Sequence, residues 1–227
     1  MILVIRGHIR NSFETKELYN FIEELYNIYP DLKIFIHTWN IFANSVSWRN
    51  ITVNITQVNE EIINNYFGKL CSYIQHIIID NDKDNKLIGN LDGTINHGPM
   101  PIIGWKNYWC GKYKIIDYIY NQPQYCHDET VINMRFDLFS NSNNFDKNLI
   151  IDFIKKNNEI KFTKNEFLFD YEANGIDNIY IGNIATMYKL TNIFFYELDD
   201  ILCKNNNTRN QERLVYRINT QIFSPTS

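Results

Sequence analysis

The chain has 227 residues, 44% hydrophobic and 15% aromatic, with 22 Lys and Arg against 26 Asp and Glu for a formal charge of −4. That length suits one substantial core, so residues 1–227 are taken as a single domain. The acidic balance argues against a general nucleic-acid binder, and no apolar window approaches the roughly 18 residues of a membrane span.

Ile2-Leu-Val-Ile5 is an unbroken apolar run, the pattern of a central strand covered on both faces. It leads into Arg6-Gly7-His8-Ile9-Arg10, after which Ser12 is the expected helix N-cap. Leu18, Phe21, Ile22, Leu25, Ile28 and Tyr29 recur in steps of three and four, which predicts an amphipathic helix stopped by Pro30. Leu32 to His37 is a second strand, followed by Thr38-Trp39-Asn40. This β-α-β opening predicts a right-handed crossover between adjacent parallel strands. The expected fold is α/β, Rossmann-type, with a mostly parallel central sheet flanked by helices.

The stretch from Asn40 to Asn50 is polar and irregular and carries Arg49, and Ile51 to Ile55 alternates like a short strand. Val58 to Phe67 reads as a helix ended by Gly68, and Ile74 to Ile79 as a strand. Asp80 to Gly98 is a polar loop with a turn at Asp92-Gly93; its acidic residues lack the glycine and closing Glu of a calcium loop. Gly104 to Tyr120 predicts a helix with an aromatic stripe, whose later half belongs to the core. Trp105, Lys106 and Trp109 lie in its first turns, where they either pack inside or stack on a sugar near the helix dipole.

Glu129 to Phe139 reads as a buried strand ending in Arg135 and Asp137, which would share one face. That pair has two readings: Asp137 holding Mn²⁺ or Mg²⁺ with a diphosphate beside Arg135, or an ion pair closing the strand end. A helix from Phe145 to Asn157 follows, then short strands to Phe169, then a strand bracketed by Gly175 and Gly182 with Asp177 and Asn178 at its entrance. Ile184 to Leu202 forms a helical core face, and Thr208 with Gln211 fits a capping box. Four scattered cysteines without a C-x-x-C pattern predict free thiols in a reducing compartment. The apolar start is too short for a signal peptide, so a non-secreted protein is expected.

Arg6-Gly7-His8 to Arg10, Thr38-Trp39, Ser47-Trp48-Arg49-Asn50, Trp105-Lys106-Asn107, Arg135-Phe136-Asp137 and Gly175 to Gly182 stand together in a fixed order. In that order the chain resembles GT-A-type glycosyltransferases of large DNA viruses, chiefly the amino-terminal domain of a multidomain chlorella-virus enzyme. The resemblance spans residues 2 to about 218. It implies a UDP-sugar donor (UDP-L-rhamnose or UDP-glucose), a divalent metal, usually Mn²⁺, and a glycan or glycoprotein acceptor in the host cytoplasm or virion. At the carboxyl ends of the first two strands Arg6, Gly7, His8 and Arg10, with Trp39 and Arg49 nearby, are expected around the nucleotide, Gly7 allowing close backbone approach, and Trp105, Lys106, Trp109, Asp177 and Asn178 around the sugar. Where such enzymes carry Asp-x-Asp, this chain has Arg135-Phe136-Asp137, leaving Asp137 as the lone metal carboxylate.

Leaving-group charge calls for cations, and Arg6, Arg10, Arg49, Lys106 and Arg135 are the candidates; an inverting reaction calls for a carboxylate base, Asp177 or Glu212. A nucleotidyltransferase or other metal-dependent nucleotide-sugar enzyme, and a non-catalytic sugar-binding protein, are the competing classes.

Overall fold

The computed structural model describes residues 1–43, 54–95, 100–140, 145–171, 175–207 and 210–224. Its centre is a six-stranded sheet in the order β3-β2-β1-β4-β6-β5. The strands are β1 (Ile2–Arg6), β2 (Lys33–Trp39), β3 (Ile74–Asp80), β4 (Thr130–Arg135), β5 (Glu166–Phe167) and β6 (Ile179–Asn183). β1, β2, β3 and β4 run parallel, while β6 returns antiparallel beside β4 and carries β5 on its outer edge. The mostly parallel sheet is as expected. The reversal at β6 matters because it brings the start of that strand to the carboxyl ends of β1 and β4.

The helices are α1 (Glu17–Ile28), α2 (Glu60–Phe67), α3 (Ile102–Tyr120), α4 (Lys147–Asn157), α5 (Ile184–Tyr196), α6 (Leu198–Lys204) and α7 (Gln211–Phe223). One core layer joins Leu3, Ile5, Ile34, Ile36, Ile132 and Met134 of the sheet to apolar residues of α1, α2 and α4. The other joins Ile2, Val4, Phe35, Val131 and Tyr180 to α3, α5, α6 and α7. Period-two alternation sends odd and even residues of β1 to opposite layers. All five residues of β1 are buried, and each fully buried Ile or Leu contributes about 1.5–3 kcal/mol.

Three local expectations change. α1 begins at Glu17 with no side-chain cap, and Ser12 instead sits buried in the loop after β1, its Oγ 3.2 Å from Ser140 Oγ. The strand expected to reach Phe139 stops at Arg135 and turns through a 3-10 turn at Phe136–Leu138. α7 is capped by Asn210, whose side chain accepts from the Arg213 amide; Thr208 lies outside the described residues. Among the described residues no helix is long and apolar enough to cross a membrane, and all four cysteines are free.

Candidate functional site

Arg6 and Arg135 end β1 and β4 as register partners, so two guanidiniums leave the sheet side by side on one face. Such a pair holds together only if anions or dipoles lie between and around it. Arg135 finds its anion in Asp137: Nε donates to Oδ1 at 2.7 Å and Nη2 to Oδ2 at 2.6 Å, a bidentate fork. The 3-10 turn makes this possible. Had the strand continued, both side chains would have pointed out in parallel; the turn at Asp137 (φ −84, ψ 23) curls the carboxylate back onto its neighbour. Arg10 Nη1 adds a third contact, 3.1 Å from Asp137 Oδ2. Asp137 is 2% exposed. Burial alone would raise its pKa, but Arg135 and then Arg10 outweigh that and hold it below the usual carboxylate range. Asp137 pulls the other way on Arg135: burial works to lower that pKa, and the carboxylate more than reverses it.

Arg10 reaches this position from a loop whose backbone is held on several sides. Gly7 has φ +92 and donates its N–H to His37 O at 3.1 Å. A Cβ on Gly7 would meet no protein atom within 4 Å, so within the protein it is the left-handed backbone that calls for glycine here. Arg10 itself sits at φ 55, uncommon for a residue with a side chain, with its N–H on Phe42 O at 2.9 Å. Asn11 Nδ2 donates to Ser140 O at 3.2 Å, which ties this loop to the one following Asp137. His8 lies beside it, its ring 5.8 Å from that of Trp39. Burial, then the Arg10 charge, lowers the His8 pKa to about 4, so it is neutral near pH 7.

Beneath these loops lies a polar layer. Arg6 is 1% exposed; its Nε donates to Asn133 Oδ1 at 2.7 Å, its Nη2 to the Asp177 backbone carbonyl, and its guanidinium lies 5.0 Å from the Tyr108 ring. Asp177 Oδ2 accepts from the Tyr108 hydroxyl and lies 3.8 Å from Lys112 Nζ. Lys112 is fully buried in α3 among the Trp109, Tyr108 and Tyr180 rings. Burial, then Arg6, drives its pKa well below the usual lysine value. Arg6 Nη1, Lys112 Nζ, Asn133 Nδ2 and the Tyr180 hydroxyl make no hydrogen bond within the protein. Four neighbouring buried side chains thus carry polar atoms without a protein hydrogen bond, the kind of group that ordered water satisfies in folded proteins.

From the far side comes the turn Ile176–Asn178 ahead of β6. Asn178 Oδ1 accepts from Arg135 Nη1 at 3.1 Å. Glu212, in the first turn of α7, accepts the Gly175 N–H at 2.6 Å. Burial, then the Asp177 charge, pushes the Glu212 pKa up to about 7. Three guanidiniums (Arg6, Arg10, Arg135) thus meet the carboxylates of Asp137, Asp177 and Glu212 at this end of the sheet.

The expected sugar platform is not here. Trp109 is fully buried and stacked on Phe194 with ring centroids 4.0 Å apart, and Trp105 is 2% exposed, edge-on to the same ring. Neither ring has a face left for a sugar, because both fill the layer between α3 and α5. Lys106 is buried too, paired with Asp199 at 2.7 Å. Arg6 lies below the site, where it cannot line a diphosphate directly. Trp39 is 5% exposed at the end of β2. Arg49 lies outside the described residues. Arg10, Arg135, Asp137, Asp177, Asn178 and Glu212 do converge. Tyr108, Lys112, Asn133 and Tyr180 escaped the sequence reading, although Lys112 stands on the same helical stripe as Trp105, Trp109 and Ile116, where a lysine is out of place.

A resident Mn²⁺ or Mg²⁺ does not fit these residues. Both Asp137 oxygens already face guanidinium nitrogens. A hard divalent cation needs several oxygen donors, and no group of three His, Cys, Asp or Glu among the described residues is placed to hold one.

No protein-family model and no curated protein matches the chain. Among solved structures it is similar to LgtC, a galactosyltransferase, in complex with donor and acceptor sugar analogues. That likeness has 11% identity over 98% of this chain and 70% of the other, with a TM-score of 0.46. An active-site mutant of LgtC is similar at 12% identity over 96% and 70%, with a TM-score of 0.42.

Proposed function

We propose that the chain is a glycosyltransferase that draws its sugar from a nucleoside diphosphate donor. The observation that carries this reading is the positively charged group at the carboxyl ends of parallel β1 and β4, faced by carboxylates from the start of β6 and α7. Open α/β sheets bind ligands at that end, and a departing diphosphate needs preorganised positive charge. The order of motifs along the chain supports the same reading. In the transfer, the acceptor hydroxyl oxygen bonds to the anomeric carbon as the carbon–phosphate-oxygen bond breaks. The diphosphate leaves with the electron pair, and the hydroxyl proton passes to Glu212. A carboxylate with a pKa of about 7 is matched to that task near neutral pH. Asp177, bonded to the Tyr108 hydroxyl, holds its turn and sustains the raised Glu212 pKa. The narrower proposals rest on the resemblance alone: UDP-L-rhamnose or UDP-glucose as donor, a viral glycan or glycoprotein as acceptor, and a place in the host cytoplasm or virion.

The test is nucleotide release from UDP-glucose, UDP-galactose and UDP-L-rhamnose, with and without simple glycoside acceptors. Release from at least one donor is expected, and Glu212→Gln should lower kcat by about a hundredfold or more. Sugar binding without release from any nucleotide sugar would mean a sugar-binding protein. Diphosphate release from a nucleoside triphosphate and a sugar phosphate would mean a nucleotidyltransferase.

A further inference from the structure

We propose that this site takes the donor's diphosphate on the guanidiniums of Arg10 and Arg135 without a divalent cation, with Asp137 serving as the internal anion that orients them. The inference rests on the glycosyltransferase reading and concerns how that site binds its nucleotide.

Three observations carry it. First, both Asp137 oxygens are occupied by guanidinium nitrogens: Arg135 Nε and Nη2 and Arg10 Nη1 contact them at 2.6 to 3.1 Å. A metal would have to displace the Arg135 fork and the Arg10 contact from a carboxylate that is 2% exposed, and would then sit against two like charges. Second, among the described residues no other carboxylate is grouped with Asp137 to hold a cation. Arg135, two residues before Asp137, puts positive charge where a second ligand would be needed. Asp177 is engaged by the Tyr108 hydroxyl and lies beside Lys112, and Glu212 accepts the Gly175 N–H. Third, the surroundings suit an anion. Two guanidiniums bring about ten N–H donors, against about four lone-pair positions on one carboxylate, and planar forks match phosphate oxygens bidentately. Buried beneath them, the Arg6 guanidinium, 1% exposed, adds positive charge without touching the ligand. Arg10 also keeps an uncommon left-handed backbone at φ 55, and such strain persists where the surroundings fix a residue for a purpose.

The two binding modes predict opposite responses to one substitution. If Asp137 held a metal, Asp137→Asn would abolish nucleotide binding. If it is an internal anion, the same change removes a charge that repels the phosphates. The experiment is calorimetric titration of UDP into the intact protein, once in EDTA and once in Mn²⁺. Wild type should bind UDP in EDTA with a Kd within about twofold of that in Mn²⁺. Asp137→Asn should bind at least threefold tighter in EDTA, and Arg10→Ala at least tenfold weaker. Should Asp137→Asn fail to fold, Arg135→Lys keeps the charge and loses the fork, and UDP should weaken about tenfold in EDTA. UDP binding that requires Mn²⁺, or Arg10→Ala and Arg135→Lys affinities equal to wild type, would overturn the inference and leave the glycosyltransferase reading standing. No binding of UDP, GDP or ADP in either buffer would overturn both.

Discussion

Glu212 and His8 titrate in opposite senses within the same site, and the signs give a stability prediction. Glu212 has its pKa raised from 4.5 to about 7 on folding, so between those values the folded state binds the extra proton. Its stabilising contribution is complete below the unfolded pKa and is lost as pH rises through about 7. His8 has its pKa lowered from 6.5 to about 4. The unfolded state therefore binds the extra proton there, and stability falls as pH drops through that window. The two trends oppose each other, so the informative quantity is the difference between wild type and Glu212→Gln, in which His8 cancels. Urea unfolding should show wild type losing up to roughly 2 kcal/mol relative to the variant between pH 5 and 8, less where solvent screens the charge. A difference that stays flat with pH would remove the buried, raised Glu212. The sequence made Asp177 and Arg135 visible as chemistry near strand ends, and Glu212 as a candidate base at the start of the last helix. It concealed that Arg6 turns inward, because burial of an arginine is decided by Asn133, Tyr108 and the Asp177 carbonyl, which arrive from 100 residues or more along the chain.

Two glycines of α3 make the element-scale prediction. A Cβ on Gly104 would meet nothing within 4 Å, whereas one on Gly111 would run into the His37 ring. That ring cannot give way: His37 is 1% exposed, its Nε2 is 2.9 Å from Asp80 Oδ2, and Trp39 lies edge-on 5.1 Å away. In a helix, Gly→Ala gains about 1 kcal/mol from propensity, while overpacking costs about 1–3 kcal/mol. Gly104→Ala should therefore raise the melting temperature by about 2–4 °C. Gly111→Ala should lower it, since the clash exceeds the propensity gain. Equal shifts in both variants would mean that α3 does not press on β2 at Gly111. Periodicity made α1, α3 and the parallel strands legible, because each buries one continuous apolar face. It failed at Asp137, where a period-two reading assumes the strand continues, and the chain instead turns after Arg135. It failed again at Glu197, where one apolar face spans α5 and α6 although the helix breaks between them. In both places backbone geometry changes while the hydrophobic pattern does not.

At the scale of the molecule, the sheet separates two apolar layers and gathers its charges at one end. Arg6, Arg10, Arg135, Asp137, Asp177 and Glu212 lie where β1 and β4 finish and β6 begins, whereas the opposite end carries turns such as Tyr29–Leu32 and Gln122–Tyr125 and part-exposed pairs such as Lys33 with Glu129. No single stretch of sequence contains that site, since its parts come from positions 6 to 212 and meet only because β6 runs backward beside β4. Hydrogen exchange can test the placement directly. A nucleotide at a hundred times its Kd stabilises the folded state by about 2.7 kcal/mol, roughly a hundredfold in the opening equilibrium. Amides of Gly7–Ser12, Phe136–Ser140 and Gly175–Asn178 should slow by up to that factor with UDP, because their loops must part for the ligand to leave. Strand amides that exchange only through global unfolding should slow equally. Amides in the turns at the opposite end open locally with the ligand still bound, so their rates should not change. Protection centred instead on Lys164–Asp170 and Tyr216–Thr220, which line a separate cavity of about 270 Å³, would move the nucleotide away from the sheet's charged end. It would also leave the arginine pair as no more than the closure of a strand.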